Sequence, residues 1–444
     1  MQCHLGIDDT DSRAGGCTTY IASLIIEKLG KLGAQFTDYP NLIRLNPNIP
    51  YKTRGNAAIA LRFKVPAPEK AFAAAKWILQ NSLLPTDPLN QKPEPGLVLF
   101  IGDRIPSMLR IFSREALQTV LSISRARDLI KQLHLRSFST NGGRGLIGAV
   151  AAIGNPLNED HTFELICYRH PKNWGFLRKI SKASVFKMDS AFRSSTFNNS
   201  DPKSSRILIA PRGPDPVLLG IRGETPSSLM SAIRMLHLDE QVQRYVIYRS
   251  NQGTSEHLQA LKGLQPHEAG SVRGTVMDHP RIERGGHVFF ELSTKLGSLK
   301  CAAYEPSDSL RQKVLLLERG DRVQVGGGIR PASSTNALVL NLEFLLVEEC
   351  IPVYRTFNPL CLVCGGSMTS MGYRQGLRCR KCRARVPPIP KLRVTQPRNI
   401  APGFYLPPPR SQRHLTKPIK RFGRERRRPY RRLLETWHGN VTNL

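Results

Sequence analysis

No stretch of this sequence reaches the roughly 18 consecutive apolar residues that a membrane-crossing helix needs. Residues 1–9 hold no basic segment followed by an apolar one, the pattern that opens a secretory leader. No membrane partner is therefore expected, and the chain reads as a soluble, cytoplasmic protein. Acidic side chains are scarce: 34 Asp and Glu stand against 65 Lys and Arg, a formal charge of +31. That balance excludes polycationic partners. Cysteine is sparse too, nine in all, and Cys3, Cys17, Cys167, Cys301 and Cys350 are scattered without a pairing pattern. This argues against a disulfide framework and for a reducing compartment.

What the chain has in excess is positive charge, unevenly placed. Between Ile351 and Leu434 there are 21 Lys and Arg against one acid, Glu425, so this segment carries +20 of the total. A basic C-terminal region on a milder body is the footprint of a polyanion partner, and with membranes set aside nucleic acid is the expected one. No protein partner is implied. A chain of 444 residues is too long for one ordinary core, and about two to four domains are expected.

The most informative stretch runs from Gly6 to Thr19, between the apolar run His4 to Ile7 and an amphipathic run, Tyr20 to Gly33. Its order is strand, loop, helix. Such a loop puts backbone N–H groups at a helix N-terminus, where anions bind. Asp8, Asp9 and Asp11 add hard oxygens suited to Mg²⁺, which bridges phosphates, while Thr18 and Thr19 offer hydroxyls beside the metal. Ordinary turn chemistry, with Asx side chains capping the next helix, is the competing reading. Three carboxylates within four positions repel one another unless a cation lies between them, which favours the metal–phosphate site. Asp-Thr-Asp-Ser also resembles the loop of haloacid-dehalogenase phosphatases, but the later Lys and acidic pair which that chemistry needs are not found.

Beyond this loop strands and helices alternate. Ala57 to Phe63 reads as a strand, Glu69 to Leu84 as a helix, Leu97 to Ile101 as a strand, and Ser113 to Leu133 as one long helix with Ser113 as N-cap. Lys52 and Arg54 are placed to reach phosphates or to sit as surface charges. Gly142, Gly143, Arg144 and Gly145 then form a Gly-rich loop running into an apolar helix, which suits either phosphate contact or close helix packing at Gly148. Further on, Arg206 to Ala210, Pro216 to Ile221, a helix from Pro226 to Leu236 capped by Thr225, and Arg244 to Tyr248 suggest a ferredoxin-like unit.

From Ala269 to Cys350 five short strands, with a helical piece at Pro306 to Leu317 between the third and fourth, match an OB-fold barrel. Cys361, Cys364, Cys379 and Cys382 follow as two CxxC pairs, the knuckles of a structural zinc ribbon with all four ligand places filled by thiolate. Arg374, Arg378, Arg380, Lys381, Arg383 and Arg385 surround them and are read as RNA-binding residues. The remainder, rich in proline, arginine and aromatics, reads as a segment that is disordered alone and orders on RNA.

Taken together, Gly6-Ile-Asp-Asp-Thr-Asp-Ser with Cys17-Thr-Thr-Tyr, Thr53-Arg-Gly-Asn, Gly142-Gly-Arg-Gly-Leu-Ile-Gly-Ala, Ala210-Pro-Arg-Gly-Pro-Asp-Pro-Val and Tyr248-Arg-Ser-Asn-Gln-Gly-Thr, then a barrel and a four-cysteine ribbon, closely resemble the archaeal agmatinylcytidine synthetases that modify an isoleucine tRNA. The resemblance runs in order over roughly residues 1–420. It implies an ATP-dependent ligase that joins agmatine to the wobble cytidine of a CAU anticodon, changing decoding from AUG to AUA. In the family the cytosine carbonyl oxygen is phosphorylated, the amine displaces phosphate, and ATP ends as AMP and two phosphates. Carried over by position, the resemblance makes Asp8, Asp9 and Asp11 the metal ligands and Thr18 the autophosphorylated threonine. It leaves the carboxylate for agmatine's guanidinium open among Asp189, Asp215 and Glu224.

The expected architecture is multidomain α+β. A kinase-like α/β catalytic domain spans residues 1–200, open to interleaving with a ferredoxin-like domain at 201–265. An OB-fold barrel follows at 268–350, a four-cysteine zinc ribbon at 355–386, and a basic RNA-binding tail at 387–444. The expected cofactors are ATP, Mg²⁺ bound by Asp8, Asp9 and Asp11, and structural Zn²⁺, with Gly142, Gly143, Arg144 and Gly145 contacting the nucleotide. Two other classes compete: a non-enzymatic tRNA or single-strand binder, which would turn over no ATP, and a nucleotide or small-molecule kinase with an RNA-binding appendage, which would need no tRNA.

Overall fold

The computed structural model describes residues 1–12, 14–52, 55–83, 92–332, 337–426 and 432–440. Arg54 and Thr53 lie outside them. The first 250 residues build one mixed sheet in which the strands Val217–Gly223, Thr162–Arg169, Val242–Ser250, Asn41–Arg44, Ala57–Lys64, Gln2–Asp8, Gly96–Ile101 and Arg136–Ser139 lie side by side in that order. Neighbours are antiparallel except where Arg249 and Ser250 run parallel to Asn41 and Leu42. The sheet passes without a break between strands on either side of residue 200, since Thr162–Arg169 pairs with Val217–Gly223.

Side chains alternate between two cores, as the pleat requires. Leu5, Ile7, Ile59, Leu61, Phe63, Leu97 and Leu99 face a core shared with the helices Thr18–Lys31, Pro68–Ser82, Lys182–Ala191 and Pro226–Ile233. Ala58, Ala60 and Val98 face the other way, onto the helices Ser107–Gln118, Ile123–Gln132 and Gly145–Gly154. The small residues on this second face let Gly145–Gly154 lie almost on the strands: a Cβ at Gly6 would stand 2.1 Å from the Ala149 carbonyl oxygen. That helix is apolar all round because it is buried nearly all round. Its C-terminal carbonyls meet Arg62, which donates to Asn155 O at 2.8 Å and Ile153 O at 3.3 Å.

The single helix expected over Ser113 to Leu133 is two. Thr119 leaves the first helix in an extended conformation, with φ −125° and ψ 173°, and Ser122 opens the second by accepting a hydrogen bond from the Arg125 amide at 3.3 Å. A serine cap in mid-pattern outweighed the continuous apolar spacing. Thr225 does cap its helix, accepting from Ser228 N at 3.1 Å.

Residues 269–349 close into a five-stranded barrel. Ala269–Val276 pairs with both His287–Thr294 and Arg322–Arg330, and the ring is completed through Gly297–Ala303 and Val339–Glu349, which run parallel to each other. The short helix Ser309–Val314 lies between the third and fourth strands in chain order. A two-stranded stalk, Val353–Phe357 with Leu392–Gln396, carries the small three-stranded sheet of the cysteine module.

The C-terminal segment departs from the disordered tail expected. Gly403–Tyr405 adds to the barrel strand Val339–Glu349, and His438–Gly439 adds to the main sheet beside Tyr245 and Val246. Trp437 is buried, and Arg421 is fully buried between Glu224 and Asp160, with Nε–Oε1 2.7 Å and Nη2–Oδ1 2.9 Å. Arg398 and Arg410 likewise meet Asp321 and Asp201 at 2.8 Å. Carboxylates far away in the sequence compensate these cations, which composition alone leaves unpaired. No helix among the described residues is long and apolar enough to cross a membrane.

Candidate active site

Asp8 ends the strand Gln2–Asp8 and stands in register with Gly96. The helix Gly145–Gly154 crosses this strand end so closely that a Cβ at Gly148 would lie 1.8 Å from Asp8 Oδ2, and one at Gly145 2.6 Å from Asp8 O. Burial, then repulsion from Asp9 and Asp11, holds the Asp8 carboxyl well above the usual carboxylate range. Asp9 turns the chain with φ 56°, and its Oδ2 accepts from the Glu94 amide at 3.3 Å. Burial, reinforced by Asp11, pushes its carboxyl up to about 6. A set of hard oxygens that burial and mutual repulsion both press toward protonation fits a divalent cation.

Thr18 is the first residue of the helix Thr18–Lys31 and borders the same cavity as the three aspartates. Its hydroxyl oxygen accepts from Thr10 Oγ1 at 3.2 Å. This sets an alcohol, a helix N-terminus and a carboxylate cluster around one space.

The glycine-rich loop divides. Arg144 borders the cavity, stacked 4.2 Å from the centroid of the Tyr51 ring and paired with Glu94 at 3.1 Å. Gly142, Gly143 and Gly145 are not among the lining residues. Gly142 makes room for Glu94, whose Oε2 would lie 2.4 Å from an added Cβ, and Gly143 takes φ 75°.

The cavity measures about 830 Å³. Besides these residues it presents a buried network that sequence reading missed. Glu164 lies between Arg44 at 3.5 Å and Arg222 at 3.4 Å, and accepts from Gln252 Nε2. Gln252 Oε1 in turn faces His414 Nδ1 at 3.1 Å. One signal was available: Glu164 sits in Thr162–Arg169, a strand buried along its whole length, where an unpaired acid would be prohibitive. Of the three carboxylates left open for a guanidinium, only Asp215 borders the cavity, where it meets Arg178 at 3.3 Å. Glu224 is engaged by Arg421, and Asp189 accepts from Ser200 Oγ at 2.5 Å.

The four cysteines meet as expected. Their sulfurs lie within 4.8 Å of one another, with Cys361–Cys382 at 3.6 Å and Cys364–Cys379 at 3.4 Å. Zinc–sulfur bonds of about 2.3 Å in a tetrahedron require similar S–S separations. The amides of Lys381 and Cys382 donate to Cys379 Sγ at 3.3 and 3.4 Å, and amide donation draws this thiol down to about 6. Arg374, Arg380, Lys381, Arg383 and Arg385 are exposed on this module and Arg378 is half-buried; none borders the cavity.

Comparison with known proteins matches three parts of the chain to family models: the TiaS TCKD domain at residues 4–75, the TiaS FLD domain at 143–257, and the TiaS C-terminal zinc ribbon domain at 358–400. The isoleucine-tRNA 2-agmatinylcytidine synthetase TiaS of Cenarchaeum symbiosum is 43% identical over 427 residues, 96% of this chain and 94% of that one. The synthetase of Archaeoglobus fulgidus is 38% identical over 97% of this chain and 100% of its own. A crystal structure of TiaS in complex with its isoleucine tRNA and ATP superposes with a TM-score of 0.86 at 38% identity, covering 95% of this chain and 97% of that one. A complex of TiaS with the same tRNA, AMPCPP and agmatine does so with 0.82 at 35% identity, covering 95% and 97%. Relatedness of this extent, running from the aspartate loop to the cysteine module, places the chain in the family of isoleucine-tRNA 2-agmatinylcytidine synthetases.

Proposed function

We propose that this protein joins agmatine to the wobble cytidine of a CAU-anticodon isoleucine tRNA in an ATP-dependent reaction, so that the tRNA decodes AUA in place of AUG. The observation that carries this reading is the one cavity whose lining Asp8, Asp9, Asp11 and Thr18 share with Asp215. It unites a metal–polyphosphate end with a buried carboxylate able to receive a guanidinium. In this reading residues 1–200 form a kinase-like unit interleaved with a ferredoxin-like one at 201–265. In the same reading the barrel is an OB-fold, and with the ribbon and C-terminal region it holds the tRNA in the cytoplasm.

Asp8, Asp9 and Asp11 would hold Mg²⁺, which neutralises polyphosphate charge during transfer. Thr18 is the hydroxyl that takes phosphate from ATP. A carbonyl oxygen is a poor leaving group, and its phosphorylation makes attack by the primary amine of agmatine feasible where water is excluded. The target base must leave the anticodon stack to enter. Asp215 receives the guanidinium of agmatine in a charge-assisted pair, and the four cysteines hold Zn²⁺.

The test is nucleotide analysis: ATP should be converted to AMP only when both the CAU-anticodon tRNA and agmatine are present. Conversion without RNA would favour a small-molecule kinase, and RNA binding without any conversion would favour a non-enzymatic binder.

A further inference from the structure

A second cavity of about 270 Å³ adjoins the first and shares Arg44, Lys52, Gly55 and His414 with it. Its remaining wall includes Pro47 and Arg413, the latter from the C-terminal segment. None of Asp8, Asp9, Asp11, Thr18 or Arg144 borders it. Three separate parts of the chain therefore bring cations to one small space away from the carboxylate end.

Those cations are under-compensated. Arg44 has one carboxylate partner, Glu164, which it shares with Arg222, and its Nε is buried without a hydrogen-bond partner. Lys52 Nζ donates to the Pro47 carbonyl, and Glu343, which acts on both Lys52 and Arg413, is taken up by His257 at 3.0 Å and Thr416 at 3.2 Å. Arg413 has no side-chain hydrogen bond or ion pair among the described residues; its backbone amide donates to Thr416 Oγ1, its carbonyl accepts from the Thr416 amide, and its charge acts on Glu343 from beyond pairing distance. The crowding is felt by the neighbours. Arg44 and burial, then Arg222, Arg413 and Lys52, hold the His414 imidazole well below its ordinary value and so neutral. Like charges gathered in a recess cost free energy unless an anion joins them.

We propose that this second cavity binds a backbone phosphate of the RNA substrate, one flanking the nucleotide whose base enters the catalytic cavity, through Arg44, Lys52 and Arg413. The inference rests on the RNA-modifying function proposed above. The shared wall lets a base occupy one cavity while its neighbouring phosphate occupies the other. A polyphosphate chain is drawn instead to the aspartate end, through the cation those carboxylates take. Neutral His414 forms the partition without adding a fourth charge. The C-terminal segment thus completes the substrate site and fixes the register of the RNA.

The test uses the full chain, a fluorescent CAU anticodon stem-loop and the variants Arg413→Ala and Arg413→Lys. Arg413 is exposed, so its replacement leaves the fold standing. Arg413→Ala should weaken RNA binding about tenfold, lower the slope of log affinity against log salt by about one, and leave the KM for ATP unchanged. Arg413→Lys should recover part of the loss. A methylphosphonate placed at each loop phosphate in turn should weaken wild-type binding at one position and have no further effect there on Arg413→Ala. Unchanged RNA affinity in Arg413→Ala, or a raised KM for ATP in place of it, would overturn the proposal; the latter would make the occupant ATP polyphosphate. An equal methylphosphonate penalty in both proteins would also overturn it. Cytidine conversion by the wild-type protein judges the parent reading separately, because the phosphate site is scored on binding alone.

Discussion

A Cβ at Gly148 would stand 1.8 Å from Oδ2 of Asp8 and 2.5 Å from its carboxyl carbon. The helix Gly145–Gly154 therefore fixes where that carboxylate can be, and glycine is the residue that allows it. Gly148→Ala should push Asp8 out of line. Misplacement by about 1 Å costs on the order of 100-fold in rate. Steady-state kinetics should show that fall in kcat, with RNA affinity unchanged and a folded circular dichroism spectrum.

Asp9 has its carboxyl raised to about 6, first by burial and then by Asp11, above an unfolded value of about 3.9. A carboxyl whose folded value is raised contributes stability below the unfolded value, and loses it as pH rises through the folded one. The metal-free protein should therefore become less stable between about pH 4 and pH 6 through this group. Calorimetry with a chelator should show that Asp9→Asn removes this part of the pH dependence. Excess Mg²⁺ at pH 7 should raise the wild-type melting temperature more than that of the variant.

Arg421 is 1% exposed in its side chain and bridges Asp160 and Glu224. Arg421→Ala leaves Glu224 without its cation and Asp160 with Lys417 at 3.4 Å and the Arg426 amide at 3.0 Å, and should cost about 3–5 kcal/mol, read as a fall in the urea midpoint. Lys31→Ala, which breaks the exposed pair with Glu27, should cost less than about 1 kcal/mol. A loss at Arg421 no greater than at Lys31 would mean that the C-terminal segment does not anchor to the body.

The cysteine module has a core of only Cys361, Met368, Leu377 and Cys379, too small to hold without metal. Zinc analysis should find one ion per chain and none in Cys379→Ser. Because the module hangs on a two-stranded stalk, the variant should keep the main melting transition while losing RNA affinity.

The local order of strand, loop and helix around Asp8 was legible from three clustered acids between an apolar and an amphipathic run. The barrel strands were legible from their turns, and the cysteine module from its spacing. The break at Thr119 to Ser122 was not, because periodicity hides a cap inside a continuous apolar stripe. Nor was the packing of the C-terminal segment, since the partners of Arg421 lie 197 and 261 residues away. The Glu164 network escaped for the same reason: its five members come from five separate segments, and each is unremarkable alone. The glycines at 142 and 143 suit either phosphate contact or close packing from sequence; in the fold Gly142 makes room for Glu94 and Gly143 takes φ 75°.

If the cavity around Asp8 is the catalytic site, the wobble cytidine of the tRNA is where its product appears. The most direct test is mass analysis of nucleosides from a CAU-anticodon isoleucine tRNA incubated with the protein, ATP, Mg²⁺ and agmatine, beside Asp8→Ala and Thr18→Ala. One cytidine heavier by condensation with agmatine is expected in the wild-type reaction, and unmodified cytidine with either variant. Unmodified cytidine in the wild-type reaction, or full modification by Asp8→Ala, would contradict that role for the cavity.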